Sequence, residues 1–395
     1  MQKKIHLLLT IFFCSLGWST FSVYACPKYV GESKKFGSVH LYFDDTSSAE
    51  YQQMRYKLDS FYKLQVARGF NGSVLIGYQG HIIYERYLGF SDKNRNIKLT
   101  KDAPVQLAST SKTFTATAVM YLHQHKYLNI DHTVQTYLPS FPYPKITVKM
   151  LLNHRSGLPD YLKWWGRYKN TVTPAYNDEL LSMFAKYKPA LDFPSDTRFK
   201  YSNSNYAILA RLIEEVTEMK YKDFMKQYFF EPIGMNNTFV YDPADGFPVN
   251  ATKSYHPNWV EYPIVFSDGI YGDKGIYSTV RDMYRWDQSF YDNEFLDSNT
   301  TEYAYGPCSF ETGGVKNYGL GWHMYCYPDG DKVVFHNGWW HGNNTVFLRF
   351  IKDNFTIIVL GNKYNKGIYQ HGPAIYKILS NSYAASAEFE DEGAE

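Results

Sequence analysis

The 395-residue chain is predicted to adopt an α+β fold. Two observations lead to this prediction: alternating apolar residues, typical of strands, lie near both ends of the chain, and apolar residues at helical spacing lie between them. Strands at the two ends must pair with each other to bury their faces. We therefore expect an antiparallel sheet flanked by helices in a domain at 49–380, with a mainly helical subdomain inserted at about 131–300.

The predicted elements follow in order along the chain. A helix from Ala49 to Ala67 is followed by two strands that end at about Gly89, and then by a helix that ends near Lys126. Prolines divide the next stretch into short helices and loops. Strands are predicted again at 318–325, 332–335, 344–351 and 355–360, and a last helix at 372–379.

The first 25 residues have the pattern of a secretion signal. Lys3 and Lys4 precede a short apolar run, and Val23-Tyr24-Ala25 offers compact residues at a cleavage site. The alternative is an uncleaved anchor, but the run is short against the about 20 residues that a membrane-spanning helix needs. We expect an exported protein, periplasmic or envelope-associated, with a polar tether at 26–48 and an acidic tail at 381–395.

The cysteines are compatible with export, but the sequence leaves open whether they carry a lipid, form a disulfide or remain free. Cys26 would be the first residue after cleavage, where bacterial lipoproteins carry an acylated cysteine, so a lipid anchor and a free Cys26 both stay open. An exported chain permits disulfides. Cys308 and Cys326 either pair or remain free thiols.

Charge and composition narrow the classes of partner. The chain has 41 lysine and arginine residues and 39 acidic residues, a formal net charge of +2. This balance does not indicate a basic surface that binds nucleic acid. No cluster of histidines and cysteines has the spacing of a zinc site. We expect a small-molecule or peptide substrate, no metal, no cofactor and no nucleic acid; the sequence does not indicate an oligomeric state.

The strongest chemical signal is a serine three residues before a lysine. Ser109 and Lys112 open an apolar run that is rich in alanine and threonine. Residues three apart share one face of a helix, so the hydroxyl and the amine would lie side by side. The helix N-terminus adds N–H groups and positive potential. This combination suits a nucleophilic serine with an amine as its base.

Two later segments carry polar groups at predicted ends of elements. Tyr201-Ser202-Asn203 precedes apolar residues at helical spacing, which places it in a loop that enters a helix. His336-Asn337-Gly338 stands between two alternating segments, and we predict that it ends the first of two strands. A glycine there would let a substrate approach the backbone closely.

Serine with lysine, then Tyr-x-Asn, then a basic residue-x-Gly is the order found in the serine β-lactamase and penicillin-binding-protein superfamily, which the chain resembles. It is most similar to the branch of class C β-lactamases, DD-carboxypeptidases and esterases. Segments 70–89, 151–161 and 275–283 are similar to other segments of that branch. The resemblance implies the same fold and an acyl-enzyme on Ser109.

The resemblance also implies roles for single residues. Tyr201 would help to remove the Ser109 proton, protonate the leaving group and activate the deacylating water. Lys112 would act as a neutral base or relay through Tyr201, as a tyrosinate favoured by the nearby cation. Asn203 would hold the acyl-side amide of the substrate, and the backbone N–H groups of Ser109 and Trp339 would bind the oxyanion.

His336 stands where β-lactamases often have a lysine, which puts binding of a β-lactam carboxylate in doubt. Trp339 and Trp340 follow it and could line a substrate groove. Four functions stay open: hydrolysis of D-amino-acyl peptides or related small amides, hydrolysis of esters or lactones, a β-lactamase in the strict sense, and a catalytically silent binding or sensor protein. Intact Ser109, Lys112 and Tyr201 argue against the last.

Overall fold

The computed structural model describes residues 41–43, 48–165, 173–311 and 313–379. The predicted signal peptide, Cys26 and the acidic tail lie outside the described residues. The helices are α1 (Ala49–Ala67), α2 (Ser111–Gln124), α3 (Val148–Leu152), α4 (Tyr161–Trp164), α5 (Asn177–Tyr187), α6 (Asn203–Thr217), α7 (Tyr221–Met225), α8 (Val280–Ser289), α9 (Ser298–Ala304) and α10 (His371–Leu379).

The strands are β1 (Tyr42–Phe43), β2 (Gly72–Tyr78), β3 (His81–Leu88), β4 (Phe90–Asp92), β5 (Ile97–Lys98), β6 (Val105–Gln106), β7 (Phe239–Val240), β8 (Ile276–Ser278), β9 (Lys316–Tyr318), β10 (His323–Cys326), β11 (Lys332–Trp340), β12 (Asn343–Phe350) and β13 (Phe355–Gly361).

One large sheet joins the two ends of the chain. Its strand order is β1-β3-β2-β13-β12-β11-β10-β9, and the pairing of β2 with β13 is antiparallel. The predicted fold, in which terminal strands pair and helices cover them, is confirmed. The edge strand β1 is an addition: it pairs in parallel with β3 inside the segment predicted as a tether. Two residues are too few to give an alternating pattern.

Side chains alternate between the two faces of the sheet, and helices cover both. On β13, Ile357 and Val359 belong to one apolar core, which α1 and α10 complete. Ile358 and Leu360 belong to the other, which contains α2 and the helices of the insertion. The strands are therefore buried on both faces, which explains their nearly continuous apolar sequence.

The helix α2 lies inside the second core. Its residues from Ser111 to Met120 are all buried, so no polar face is needed. Its threonine hydroxyls donate to backbone carbonyls: Thr117 to Thr113 at 2.8 Å, and Thr115 to Gly272 at 2.7 Å. Each buried hydroxyl thus has a partner. The alanine- and threonine-rich run that follows Ser109 is a sequence for a helix surrounded by protein.

The part between α2 and β9 is mainly helical, as predicted, but it also contributes β7 and β8 to a three-stranded sheet in the order β6-β8-β7, whose strand β6 precedes α2. Strands of two or three residues leave no periodicity in the sequence. Cys308 and Cys326 are both free thiols in this structure. No helix in the described part of the chain is long and apolar enough to cross a membrane.

Candidate active site

Ser109 lies on a 3₁₀ turn, Ala108–Thr110, that leads into α2. The prediction put it in the first turn of the helix itself. Ala108 has φ +50°, a left-handed conformation that strains any residue other than glycine. The turn is tied to the sheet, because the Thr110 hydroxyl donates to the His336 carbonyl at 3.1 Å. Ser109 is thereby held half-buried against β11.

Lys112 has three oxygen neighbours. Its Nζ lies 3.0 Å from Ser109 Oγ, 2.8 Å from Asn203 Oδ1 and 2.8 Å from the Asp273 carbonyl oxygen. An ammonium has three N–H donors, whereas a neutral amine has two and a lone pair. The amide and carbonyl oxygens can only accept. When Lys112 is neutral, its two N–H groups bond these two oxygens and its lone pair faces Ser109.

The surroundings of Lys112 favour that neutral form. Its pKa is lowered to about 7: burial and the charge of Lys274 lower it, while the carboxylates of Asp273 and Asp160 oppose the shift. Desolvation is the main cause, since a buried amine loses its hydration when it is charged. A large fraction of Lys112 is therefore able to accept a proton at neutral pH.

Tyr201 lies close to Lys112 and Ser109. Lys112 Nζ lies 4.9 Å from the centre of its ring, and the side chain of Ser109 is near enough to the phenol to lower the pKa of Tyr201 in part. Burial raises the pKa of Tyr201 well above its usual value of 10. The expectation that a nearby cation would favour a tyrosinate does not hold, because desolvation outweighs that attraction. Tyr201 is a phenol here, able to donate its proton.

Asn203 is the first residue of α6, whereas the prediction placed it in the loop that enters this helix. Both ends of its side-chain amide are engaged: Oδ1 accepts from Lys112, and Nδ2 donates to Asp160 Oδ2 at 2.8 Å. Asp160 also accepts the backbone N–H of Asn203 at 3.2 Å. Asp160 thus fixes which way the amide points. Sequence reasoning assigned Asp160 no role, although it lies in the family-like segment 151–161.

His336 lies within β11 and not at its end, because the strand continues to Trp340. Its side chain is buried. Nδ1 donates to the Asn337 carbonyl at 2.7 Å, and Tyr318 Oη lies 3.5 Å from Nε2. Burial holds the pKa of His336 well below its usual range, and the charges of His323 and Lys112 add to this. The imidazole is neutral at pH 7 and offers no cation to a substrate.

Gly338 is needed for packing. A Cβ at this position would lie 2.3 Å from the Leu107 carbonyl oxygen and 3.1 Å from Ala108 Cβ. Any side chain would push β11 away from the turn that carries Ser109. The close approach predicted for this glycine is thus to the nucleophile turn, which occupies the space that was expected for a substrate.

Trp339 follows Gly338 at an open part of the strand. Its side chain is 54% exposed, and its ring centre lies 6.0 Å from that of Tyr364. Strand β10 pairs with β11 only from Lys332 to Phe335. Among the strands of the described residues, none pairs with that edge of β11 beyond Phe335. Trp339 thus follows the glycine that packs against the turn carrying Ser109, and its ring is open to solvent.

The described residues contain no group of three or more His, Cys, Asp or Glu side chains that could hold a metal ion. What the site does contain is the Ser109 hydroxyl, an amine with a lowered pKa and a phenol, with the amine held by Asn203, whose amide Asp160 orients. This set can remove a proton from a hydroxyl and return it to a leaving group without a further component.

Comparison with known proteins gives one family. The chain matches the family model described as Beta-lactamase over residues 62–373. It is 33% identical over 308 residues to Penicillin-binding protein 4* of Bacillus subtilis (strain 168), which covers 74% of this chain and 68% of that protein. It is 25% identical over 286 residues to the D-aminopeptidase of Brucella anthropi, covering 69% of this chain and 52% of that protein, about half of its length.

Solved structures agree on the fold. The D-amino acid amidase from Ochrobactrum anthropi SV3, complexed with L-phenylalanine amide, is similar with a TM-score of 0.70 and 22% sequence identity. The similarity covers 85% of this chain and 99% of that one.

Proposed function

The chain belongs to the beta-lactamase family of serine hydrolases, and we propose that it cleaves D-amino-acyl amide or ester bonds through an acyl-enzyme on Ser109. The observation that carries the proposal is the position of Lys112, whose Nζ lies 3.0 Å from Ser109 Oγ and whose other two acceptors direct its lone pair toward that oxygen.

The steps of acylation follow from these contacts. Ser109 Oγ attacks the substrate carbonyl while its proton passes to Lys112. The backbone N–H groups of Ser109 and Trp339 would stabilise the oxyanion. As the C–N or C–O bond breaks, the leaving group takes the phenolic proton of Tyr201, which Lys112 replaces. Water then attacks the acyl group, and the protons move in the reverse direction: from water to Tyr201, from Tyr201 to Lys112, and from Lys112 to Ser109 Oγ. The acyl group leaves Ser109 as a carboxylic acid.

The substrate class is proposed on two grounds. One relative is named D-aminopeptidase, a name that indicates a D-amino-acyl substrate for that protein. In addition, His336 is buried and neutral, so it cannot serve as the cation for a β-lactam carboxylate. Both favour a peptidase or esterase over a β-lactamase in the strict sense. A panel of nitrocefin, a D-Ala-D-Ala peptide, D-alanine p-nitroanilide and p-nitrophenyl acetate separates these activities.

Labelling with a fluorophosphonate tests the nucleophile. We expect covalent modification of Ser109, identified by mass spectrometry of peptides, and loss of that modification in Ser109→Ala. Ser60→Ala is the matched control, because Ser60 also stands three residues before a lysine, Lys63, but lies exposed on α1. Labelling that persists in Ser109→Ala would remove the assignment, and a wild-type protein that never reacts would favour a catalytically silent protein.

We further propose that the chain is exported and that residues 1–25 are removed. The support is the sequence pattern of the first 25 residues. Expression in a bacterium, followed by mass spectrometry of the intact protein, is expected to give an N-terminus at Cys26. An acyl mass on Cys26 would add an envelope anchor, and an unmodified Cys26 would mean release. A mature protein that still begins at Met1 would contradict the removal of residues 1–25 and favour the uncleaved anchor.

A further inference from the structure

Lys274 is a buried lysine next to the site, in the turn before β8. Its residue is 3% exposed, and its Nζ contacts the Tyr161 hydroxyl and lies 3.3 Å from Asp273 Oδ2. It also lies 4.7 Å from the centre of the Trp340 ring. A lysine is rarely buried unless a partner offsets the loss of hydration. The proposed mechanism uses Lys112 and Tyr201 and includes no role for this cation.

Asp273 connects Lys274 to the catalytic amine. Its backbone carbonyl oxygen accepts from Lys112 at 2.8 Å, while its carboxylate Oδ2 lies near Lys274 and accepts from the Tyr161 hydroxyl at 2.9 Å. The two amines therefore contact opposite ends of one residue. Charges that share one buried neighbour interact more strongly than charges in water, because little water screens them.

The turn that holds Asp273 and Lys274 has little room to move. The glycines on either side, Gly272 and Gly275, have φ +93° and φ +94°. A Cβ on Gly272 would lie 2.5 Å from Ala210 Cβ on α6, which shows how closely the turn packs on that helix. The backbone that carries the contacts of both amines with Asp273 is thus held in place.

On this basis, and resting on the proposed function, we propose that Lys274 is the second cation of the active site and acts on Ser109 through Lys112, as a positioning residue that does not touch the substrate. Related β-lactamases often place a lysine where this chain has His336, and that histidine is neutral. The second charge comes instead from the turn before β8.

The other charged or titratable groups around Lys112 do not replace it. Burial lowers the pKa of three neighbouring histidines, so they are neutral at pH 7, and Tyr201 is a neutral phenol. The remaining charges are two carboxylates, which favour the protonated amine, and Lys274, which favours the neutral one. The groups that face Lys112, by element, are His154 after α3, Asp160 before α4, Tyr201 before α6, Tyr206 on α6, Asp273 and Lys274 before β8, His323 on β10 and His336 on β11.

The test is the pH dependence of Ser109 acylation by a fluorophosphonate, in full-length wild type, Lys274→Met, Lys274→Gln and Lys274→Arg. In wild type the rate is expected to rise with a midpoint near pH 7, where Lys112 loses its proton. Without the charge of Lys274, Lys112 holds its proton more tightly. The midpoint should move up by about one pH unit in the Met and Gln variants and stay near the wild-type value in Lys274→Arg.

A purely structural role would lower the rate by the same factor at every pH and leave the midpoint in place. Lys274→Gln keeps a donor for Asp273, so it serves if Lys274→Met does not fold. Asp273→Asn should move the midpoint the other way, toward lower pH. A midpoint unchanged in the folded neutral variants would overturn the inference. Absence of labelling in wild type at any pH would instead refute the proposed function.

Discussion

Replacing Lys112 with arginine is expected to lower kcat/KM by about 10³-fold, within the range of about 10² to 10⁴ that a general base contributes. The guanidinium stays protonated at all accessible pH values and cannot take the Ser109 proton. The measurement is kcat/KM for D-alanine p-nitroanilide between pH 5 and 9. Wild type should rise through a midpoint near pH 7, since Lys112 must be neutral to act, and the arginine variant should show no such rise.

Lys63→Arg, on the exposed surface of α1, is the matched control and should keep the wild-type profile. A Lys112→Arg enzyme that retained a tenth of the wild-type activity would exclude Lys112 as the base.

The lowered pKa of Lys112 also makes the free energy of unfolding depend on pH. The variant Lys112→Met therefore tests this pKa without a measurement of activity. The pKa of Lys112 is about 7 in the folded protein and 10.5 in its ordinary state. The lowered pKa therefore takes nothing from the free energy of unfolding above about pH 10.5. The loss of stability grows as the pH falls and is complete below about pH 7. Relative to wild type, the free energy of unfolding of Lys112→Met should be about 2 to 3 kcal/mol higher at pH 6 than at pH 9. Urea unfolding at both pH values measures it, and an equal difference at both would contradict the lowered pKa.

Tyr201→Phe is expected to lower kcat by about 10²- to 10³-fold with a smaller change in KM, because the phenol transfers a proton and the ring stays in place. Tyr143→Phe is the control, because it removes another partly buried tyrosine hydroxyl, one that donates to the Pro189 carbonyl. Steady-state kinetics on the same p-nitroanilide separates kcat from KM. Equal turnover in Tyr201→Phe and wild type would reject a proton-transfer role.

The sequence predicted the parts of this molecule that depend on local pattern. Helical spacing located α1 and α6, and alternation located β12 and β13. The pairing of the terminal strands followed from the need to bury their faces. The position of Ser109 three residues before Lys112 was enough to place the hydroxyl and the amine in contact, even though Ser109 proved to lie on a 3₁₀ turn.

The parts that could not be predicted depend on contacts between distant segments. Asp160 orients Asn203 from 43 residues away in the sequence, and Asp273 reaches Lys112 from 161 residues away. Nothing in a local pattern distinguishes such an aspartate from a loop residue. The same holds for Gly338, whose purpose is visible only once the Leu107 carbonyl lies against it. A segment similar to a family motif was the available signal for Asp160.

The order of strands in the large sheet also bears on synthesis. Strands β9 to β13, five of the eight in this sheet as far as the described residues show, come from Lys316–Gly361. The wall that supports Ser109 therefore does not exist until the ribosome has made almost the whole domain, whereas the inserted helices can pack earlier through contacts close in sequence. A nascent chain would carry its serine, amine and phenol through about 160 further residues, from Tyr201 to Gly361, without a working arrangement of them. Activity would begin only when β2 pairs with β13.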